Sequence, residues 1–553
     1  MSSSPDEKAG PPGYNKDDDH RSSPKETTII DEVAYGEERN AFGQRSNEKL
    51  KPALNNRHLA MISIGGVIGT GLFLGTASSL ARGGPVGLWL GYILMGSICY
   101  AMMMCLGEMI SYLPIPGGHI ALASRFVDPA LGFAMGWNYF YNWAIVLPAE
   151  LAAAATLIGF WSDLSPAIWI SLCLIIVIVI NFLGARAYGE TEFWFCSIKV
   201  ITIVGLIILS FLLDVGAVGE RRGFQYWKNP GPFVQYLGIE GSWGRFLGFW
   251  SVLINAGFSF IGTEIVAMAA AEAKNPRKAL PKAINKVWVR ILVFYVLGTL
   301  AVGVIVPSNN DQLLKGTQAN KSAFVIAIRA AGIKSLPSII NAALVTSAAS
   351  AASSDLYTSS RALYSLALAG QAPRIFAKTL KNGLPLGALI VSASFSGLAY
   401  LSVASGPGKV FEYLQGLSSI CGLVSWWVIS LTYLRFHKGL KTQGIVRDHK
   451  TFPFVSPLQP YLGWWTLIWT SIVMLFCGFK NFINGYFDTA SFVTSYLPLP
   501  LFFVIWVGYK LWHKTKVVKA EEMDFYTGLK EILDEEVEEA PPRNLWEKFW
   551  AWI

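Results

Sequence analysis

A short segment rich in glycine, residues 64–73 with the sequence IGGVIGTGLF, lies within a strongly apolar stretch of the chain. Each of its glycines weakens a helix by about 1 kcal/mol relative to alanine. We expect the helix to be interrupted here and a second helical segment to start near Thr70. Its backbone N–H groups would then be free to hold an anion such as a carboxylate. Close packing of helices through regularly spaced small residues explains this segment alone equally well.

A second segment, residues 255–264 with the sequence NAGFSFIGTE, again places glycines inside an apolar stretch, now beside the carboxylate of Glu264. In lipid, irregular backbone is tolerated only where protein buries it or where it lines a cavity. Two interrupted helices at matching positions of a chain are the sequence pattern that best indicates a transport site. The two segments together therefore favour a binding role over simple helix packing.

Several ionisable side chains lie inside apolar stretches, where a charge costs at least about 2.5 kcal/mol and calls for a reason. Glu264 is interpreted as a proton carrier or the partner of a substrate ammonium group, with a structural pair as the alternative. Lys199 is interpreted as a proton carrier or as a fixed cation in the place of a metal ion. Glu150 is expected near a helix end, as a candidate specificity residue, and Phe260 is expected to gate the site. Three further charges are interpreted as gate or structural residues: Glu108, Asp355 and Arg361.

The composition indicates which kind of element must hold these residues. The 553 residues are 53% apolar and only 15% charged, and the charged residues concentrate before residue 52 and after Lys514. Soluble proteins carry about 25% charged residues. The distribution excludes a soluble enzyme, a nucleic-acid-binding protein despite the net charge of +8, and a secreted disulfide scaffold. It predicts an all-α integral membrane protein with many spans.

A membrane-spanning helix needs about 20 mostly apolar residues, so the stretch from Leu59 to Trp512 has room for about twelve helices. The predicted spans are residues 58–80, 86–111, 131–160, 166–184, 192–214, 244–270, 287–306, 336–368, 384–404, 410–436, 461–481 and 496–513. Lysine and arginine concentrate before the first span and in the loops after even-numbered spans, which predicts that both tails are cytoplasmic. No group of residues indicates a metal, a cofactor or a catalytic nucleophile, which argues against an enzyme.

We predict three parts of the chain: a disordered cytoplasmic tail over residues 1–50, a membrane domain over residues 51–516, and a cytoplasmic tail over residues 517–553. The lysines of the first tail are candidate ubiquitin sites, which would make ubiquitin ligase adaptors partners of the protein. A solvated tail explains them equally well. The aromatic C-terminus suits a membrane interface or docking to the body of the protein.

Several motifs resemble those of the fungal amino acid permeases in the amino acid–polyamine–organocation superfamily. They are RHLAMISIGG at residues 57–66, GTGL at 69–72, CLGEM at 105–109, GTE at 262–264, EAKNPRK at 272–278 and SDLYTSSRALY at 354–364. The resemblance implies twelve transmembrane helices: a 5+5 inverted repeat, in which helices 1 and 6 are broken, and two extra helices. It also implies proton-coupled import of amino acids at the plasma membrane by alternating access.

The resemblance further implies the roles of individual residues. The substrate carboxylate is expected on the backbone of residues 69–71, and the ammonium group on carbonyls of the two interrupted helices. The residues expected around the substrate are Ile64, Gly65, Gly69, Thr70, Gly71, Phe258, Phe260, Ile261, Thr263 and Glu264. Lys199 matches a lysine that replaces a sodium ion in proton-coupled relatives. The expected coupling residues are Lys199 and Glu264, the latter because of its carboxylate inside an apolar stretch.

Three segments narrow the range of expected substrates. They resemble the corresponding segments of dicarboxylic members of the family and therefore favour glutamate and aspartate: residues 226–231, 397–406 and 508–517. Glu150 stands where a neutral glutamine is expected in those members, and a carboxylate there disfavours an acidic side chain. A general permease for neutral amino acids is therefore the alternative.

Two other classes of function fit the sequence less well. An amino-acid-sensing receptor with little transport is disfavoured by the short N-terminal tail, which has no evident folded domain. A channel is disfavoured because isolated charges do not make a ring-lined pore. The expected partners are an amino acid, protons and membrane lipid, without cofactor, metal or nucleic acid.

Overall fold

A computed structural model describes residues 68–115, 117–217, 220–265, 276–315, 322–380, 383–449, 451–483 and 485–529. Over these ranges the regular secondary structure is helical, and they contain no strand. The predicted N-terminal tail, the predicted site residues Ile64 and Gly65, and the chain after residue 529 lie outside the described residues.

The main helices are α1 (Gly71–Tyr112), α2 (Pro129–Ile158), α3 (Pro166–Phe182), α4 (Ala185–Asp214), α5 (Gly241–Phe260), α6 (Val287–Ile305), α7 (Leu336–Leu368), α8 (Leu386–Ser405), α9 (Pro407–Thr442), α10 (Tyr461–Leu475) and α11 (Thr489–His513). Short helices and turns connect them at Gly118–Phe126, Gln225–Lys228, Tyr236–Gly238, Pro276–Asn285, Asp311–Lys315, Ala323–Ala330, Arg374–Ala377, Phe479–Phe482 and Ala520–Glu522. Within the described residues, eight helices are long and apolar enough to cross a membrane, namely α1, α2, α4, α6, α7, α8, α9 and α11. The apolar helices α3 and α10 are shorter.

Helix α1 bends sharply at Gly84, between the residues predicted for the first two spans. The φ angle of Gly84 is 74°, which a residue with a side chain rarely adopts. A Cβ atom at this position would also lie 2.8 Å from the Cα of Phe233. Pro85 follows and has no N–H group to continue the helical hydrogen bonds. Helix α1 therefore consists of two helical segments that meet at this bend.

Small residues allow the helices around α1 and α2 to pack closely. A Cβ atom at Gly83 would lie 2.6 Å from the side chain of Val252, and one at Gly91 would lie 2.7 Å from it, so glycine lets α1 lie directly on α5.

Helix α2 is buried along almost its whole length and packs against both α7 and α9. Helix α11 is mostly exposed. The centre of the bundle is therefore formed around α2, beside the paired helices α1 and α5.

Residues 515–529, here called the C-terminal strap, fold back against the helices after α11 ends. The guanidinium group of Arg125 lies 2.8 Å from the Asp524 carboxylate and donates a 2.9 Å hydrogen bond to the carbonyl oxygen of Thr527. Phe525 is fully buried against three aromatic rings, those of Tyr112, Phe126 and Phe436. The strap thus ties the end of the first long helix to the short helix Gly118–Phe126 and to the end of α9.

Candidate substrate and coupling site

The first interruption lies at the start of α1. Ile68 and Gly69 are not helical, and the helix begins at Gly71 with Thr70 as its N-cap residue. The first turn, Gly71–Gly75, is a π-helix. The first N–H groups of a helix have no partner within it, and π-helical turns occur frequently at functional sites. The start of α1 can therefore donate backbone hydrogen bonds to an anion.

The second interruption lies at the end of α5, which stops at Phe260. Gly262 has a φ angle of 95°, and a Cβ atom there would lie 3.1 Å from the ring of Trp143. The N–H of Ile261 donates to the carbonyl of Phe258 at 3.3 Å, and the hydroxyl of Thr263 donates to that of Phe260 at 2.6 Å. Glycine is needed here both for the backbone angle and for the space.

The two interruptions lie side by side. A Cβ atom at Gly71 would be 2.8 Å from the Phe258 ring and 2.8 Å from the Ser259 hydroxyl oxygen. The side-chain amide of Asn255 donates to the carbonyl of Gly75 at 3.4 Å, which fixes α5 against the π-helical turn. The structure therefore brings the residues predicted from both glycine-rich segments into one region.

Glu150 reaches this region from the interior of α2, so the expected position near a helix end is wrong. The Thr70 hydroxyl donates a 2.9 Å hydrogen bond to Glu150 Oε1, and the same oxygen lies 3.4 Å from where a Cβ of Gly69 would stand. Glu150 Oε2 is buried and accepts no hydrogen bond from the described residues. A carboxyl group thus occupies the helix start at which the sequence predicts an anion.

Glu264 is held by a different part of the bundle. Its Oε2 atom accepts hydrogen bonds from the Gly262 N–H at 3.2 Å and from the indole N–H of Trp426 at 3.3 Å. Its Oε1 atom has no hydrogen-bond partner in the described part of the chain. Glu264 therefore joins the second interruption to α9, whereas Glu150 joins the first interruption to α2.

Phe260 lies at the second interruption with its ring fully buried. The ring centre is 4.2 Å from that of Tyr295 on α6 and 6.0 Å from that of Tyr92 on α1. The hydroxyl groups of Tyr92 and Ser259 are 2.9 Å apart, which adds a polar link between α1 and α5. Phe260 is consequently packed between two helices rather than open to a wide cavity.

Lys199 is fully buried on α4, and its Nζ atom lies 3.7 Å from Glu192 Oε1. Glu192 also accepts hydrogen bonds from the Ser350 hydroxyl at 2.7 Å and the Cys196 thiol at 3.1 Å. The ammonium group donates no hydrogen bond within the described residues. Glu150 and Asp355 both interact electrostatically with Lys199. The ammonium group therefore interacts with three buried carboxyl groups and lies directly beside that of Glu192. One of the three belongs to Asp355, which the sequence indicates as a gate or structural residue.

The sequence reasoning missed Glu192, although a signal was present. Glu192 precedes Lys199 by two helical turns, so the two side chains lie on the same face of α4. The predicted span begins at residue 192, so Glu192 stands at its border, whereas Lys199 stands inside it and is recognised as a charge within an apolar stretch. The helix in fact begins earlier, at Ala185.

The comparison with known proteins identifies the class of protein that has this bundle and site. Residues 58–522 match the family described as amino acid permease. The chain is 42% identical to the dicarboxylic amino acid permease of Saccharomyces cerevisiae, over 90% of this chain and 83% of that protein. It is 39% identical to the proline-specific permease of Emericella nidulans, over 94% and 97% of the two chains. It is also 39% identical to the lysine-specific permease of Saccharomyces cerevisiae, over 91% and 83%.

The protein is thus a multi-pass helical membrane protein, and the chain belongs to the amino acid permease family. This confirms the resemblance inferred from its motifs. The relatives are named as permeases, not as enzymes, and their names give different substrates at similar identity. Overall identity therefore does not determine which amino acid this chain carries.

Proposed function

We propose that this permease is a plasma-membrane proton–amino acid symporter that works by alternating access. In this proposal the chain has twelve transmembrane helices, arranged as a 5+5 inverted repeat with two extra helices, and cytoplasmic tails that ubiquitin ligase adaptors recognise. The observation that carries it is the close approach of Gly71 to Phe258, which sets the start of one interrupted helix against the end of another. Such paired interruptions supply both N–H groups and carbonyl groups to a zwitterion.

The amino acid would bind between the two interruptions. Its carboxylate accepts hydrogen bonds from the backbone N–H groups at Gly69, Thr70 and Gly71, where the helix dipole also favours negative charge. Its ammonium group meets carbonyl oxygens on the opposite side, which we assign to Phe258 and Ile261 together with Ile64 and Gly65. Thr263 and Phe260 complete the site, and Phe260 acts as its gate.

Coupling to protons follows from the position of Glu150. Its carboxyl group lies on Thr70, at the helix start that the substrate carboxylate would also use. Two ionised carboxylates at one buried site repel each other strongly. Proton binding to Glu150 removes this repulsion, so the proton and the amino acid bind together. Because the surrounding cluster has three carboxyl groups and one ammonium group, Lys199 is assigned to hold it together while protons enter and leave. Glu264 is the second candidate for the coupling proton.

Glutamate and aspartate are the proposed substrates, since the chain is 42% identical to a dicarboxylic amino acid permease. A broad permease for neutral amino acids is the second candidate. It is favoured by the buried carboxyl group of Glu150 beside the proposed site, which would oppose an acidic side chain unless protonated.

The test is uptake of labelled glutamate at pH 5 and pH 7 in cells that lack their own permeases. Unlabelled aspartate, alanine, leucine and lysine serve as competitors. Strong uptake at pH 5 that aspartate blocks best supports the acidic assignment, and competition mainly by alanine and leucine supports the broad one. Absence of uptake for every amino acid, by protein present at the cell surface, would overturn the proposed function.

A further inference from the structure

A small cavity lies on the side of Phe260 that faces α6. It is lined mainly by apolar side chains, including Ile68 just before the start of α1 and Phe294 on α6. Its polar lining comes from Thr263, Tyr295 and Arg290. Ile68, Phe260 and Thr263 belong to the two interruptions or adjoin them, so this cavity is directly next to the proposed substrate site.

Arg290 is the charged group of this cavity. Its side chain is only 8% exposed, and neither of its terminal nitrogens donates a hydrogen bond within the described residues. Leaving a buried charge without a partner is strongly destabilising, so proteins rarely retain one without a reason. A planar guanidinium group whose two terminal nitrogens are both without a partner in the described part of the chain is suited to a carboxylate, which it can bind through two parallel hydrogen bonds.

We infer that Arg290 forms an inner carboxylate site, which receives the α-carboxylate of the amino acid after it passes Phe260. This inference rests on the proposed function, which makes the membrane side at which α6 begins the cytoplasmic one. All amino acids have an α-carboxylate, so the site acts in release of any substrate. It does not select between acidic and neutral amino acids.

The position of Phe260 supports a two-site path. The ring lines the cavity together with Ile68, and it packs between Tyr92 on α1 and Tyr295 on α6. A rotation of this ring would connect the two sites through a short apolar passage. The carboxylate would then leave backbone N–H groups on one side of the ring and meet the guanidinium group of Arg290 on the other.

An internal partner for Arg290 is the competing explanation. Glu264 lies in the same neighbourhood, because both residues interact electrostatically with Cys99. Glu264 is nevertheless bound by Gly262 and Trp426 and forms no ion pair with Arg290. An Arg290–Glu264 pair would require a shift of one of the two side chains, since Glu264 Oε1 has no hydrogen-bond partner within the described residues, and exchange of the two charges tests for such a pair.

The experiment compares the two faces of the membrane, using labelled glutamate and labelled alanine. Intact cells give the apparent KM at the outer face, and inside-out plasma-membrane vesicles give it at the cytoplasmic face. For R290M we expect the cytoplasmic KM to rise at least about tenfold for both amino acids, while the outer KM stays within about twofold. R290K keeps the positive charge but lacks the two parallel N–H donors of the guanidinium group, so it should raise the cytoplasmic KM less. L292A, at an exposed position of the same helix outside the cavity lining, is the matched control and should change neither value.

Each outcome bears on the inference. Equal KM changes at both faces, no change at the cytoplasmic face, or an effect on only one of two amino acids that the wild-type protein carries would overturn it. Restoration of transport by the double variant R290E/E264R would also overturn it in favour of an internal ion pair. If R290M does not reach the membrane, the same measurement is made on R290K. An unchanged cytoplasmic KM in R290K would then contradict the inference. If the wild-type protein carries neither amino acid, the proposed function fails instead, which is a distinguishable result.

Discussion

The hydroxyl group of Thr70 donates a 2.9 Å hydrogen bond to Oε1 of Glu150, which joins the start of α1 to the interior of α2. A helix start favours an anion, and in this structure the carboxyl group of the protein itself lies there. Substrate carboxylate and Glu150 would therefore share one electrostatic environment. This relationship links protonation of Glu150 directly to binding of the amino acid.

The close approach of the two interruptions predicts that Gly71→Val abolishes transport. The added side chain would begin 2.8 Å from both the Phe258 ring and the Ser259 hydroxyl oxygen, so the start of α1 must shift. We expect uptake to fall at least about tenfold in protein that still reaches the cell surface. Gly205→Val on α4 is the matched control, since a Cβ atom there meets nothing within 4 Å. Normal uptake by surface-resident G71V would remove the assignment of this segment to the site.

The buried pair of Lys199 and Glu192 predicts a coupled effect on stability and pH dependence. K199M leaves the Glu192 carboxyl group buried without its cation, which costs about 3–5 kcal/mol. We expect K199M to lose both thermal stability in detergent and the acid stimulation of uptake. The double variant K199M/E192Q should regain stability but not acid stimulation. A wild-type pH profile in K199M would make the lysine purely structural.

The burial of Phe525 predicts that the C-terminal strap stabilises the helix ends it covers. Removing a fully buried phenylalanine ring costs about 3–5 kcal/mol. We expect F525A to speed proteolytic cleavage within residues 515–529 and to lower the thermal stability of the purified protein. Tyr526 is the matched control, because its side chain is 63% exposed and Y526A should leave cleavage unchanged. Equal cleavage of F525A and wild-type protein would contradict the docked position of the strap.

The charge of Asp524 predicts how the strap responds to pH. Partial burial acts to raise the pKa of this carboxyl group, but hydrogen bonds from Thr527 and Tyr526 and the charge of Arg125 outweigh it and lower the pKa to about 2. Because the folded-state pKa is lowered, the stabilisation is present above the unfolded pKa of about 4 and is lost only as pH falls towards 2. We expect the strap to resist proteolysis equally at pH 5 and pH 7, whereas D524N is cleaved faster at both. Faster cleavage of the wild-type strap at pH 5 would contradict this assignment.

The glycine pattern carried much of the information about the site. The glycines at positions 69, 71 and 262 predicted where two helices stop and start. This was possible because a helix interruption needs glycine locally, and the spacing of glycines along the chain shows it. The pairing of Gly71 with Phe258 depends on tertiary packing between α1 and α5, so spacing alone could not give it. Family resemblance supplied that expectation.

The ionisable groups were harder to predict. Glu150 was expected near a helix end, but its environment depends on the side chain of Thr70, 80 residues away in the chain. Arg290 lies at the start of α6 close to a basic loop, where a positive residue is ordinary in a membrane protein. Its lack of a partner within the described residues becomes evident only when the surrounding side chains are in place.

The central claim is that Glu150 carries the proton that accompanies the amino acid. The most direct measurement is acidification inside liposomes containing purified protein, after addition of glutamate or alanine to the outside. We expect the wild-type protein to acidify the interior and E150Q not to do so, although E150Q still exchanges labelled amino acid across the membrane. Acidification by E150Q with the same number of protons per amino acid as the wild-type protein would contradict the account.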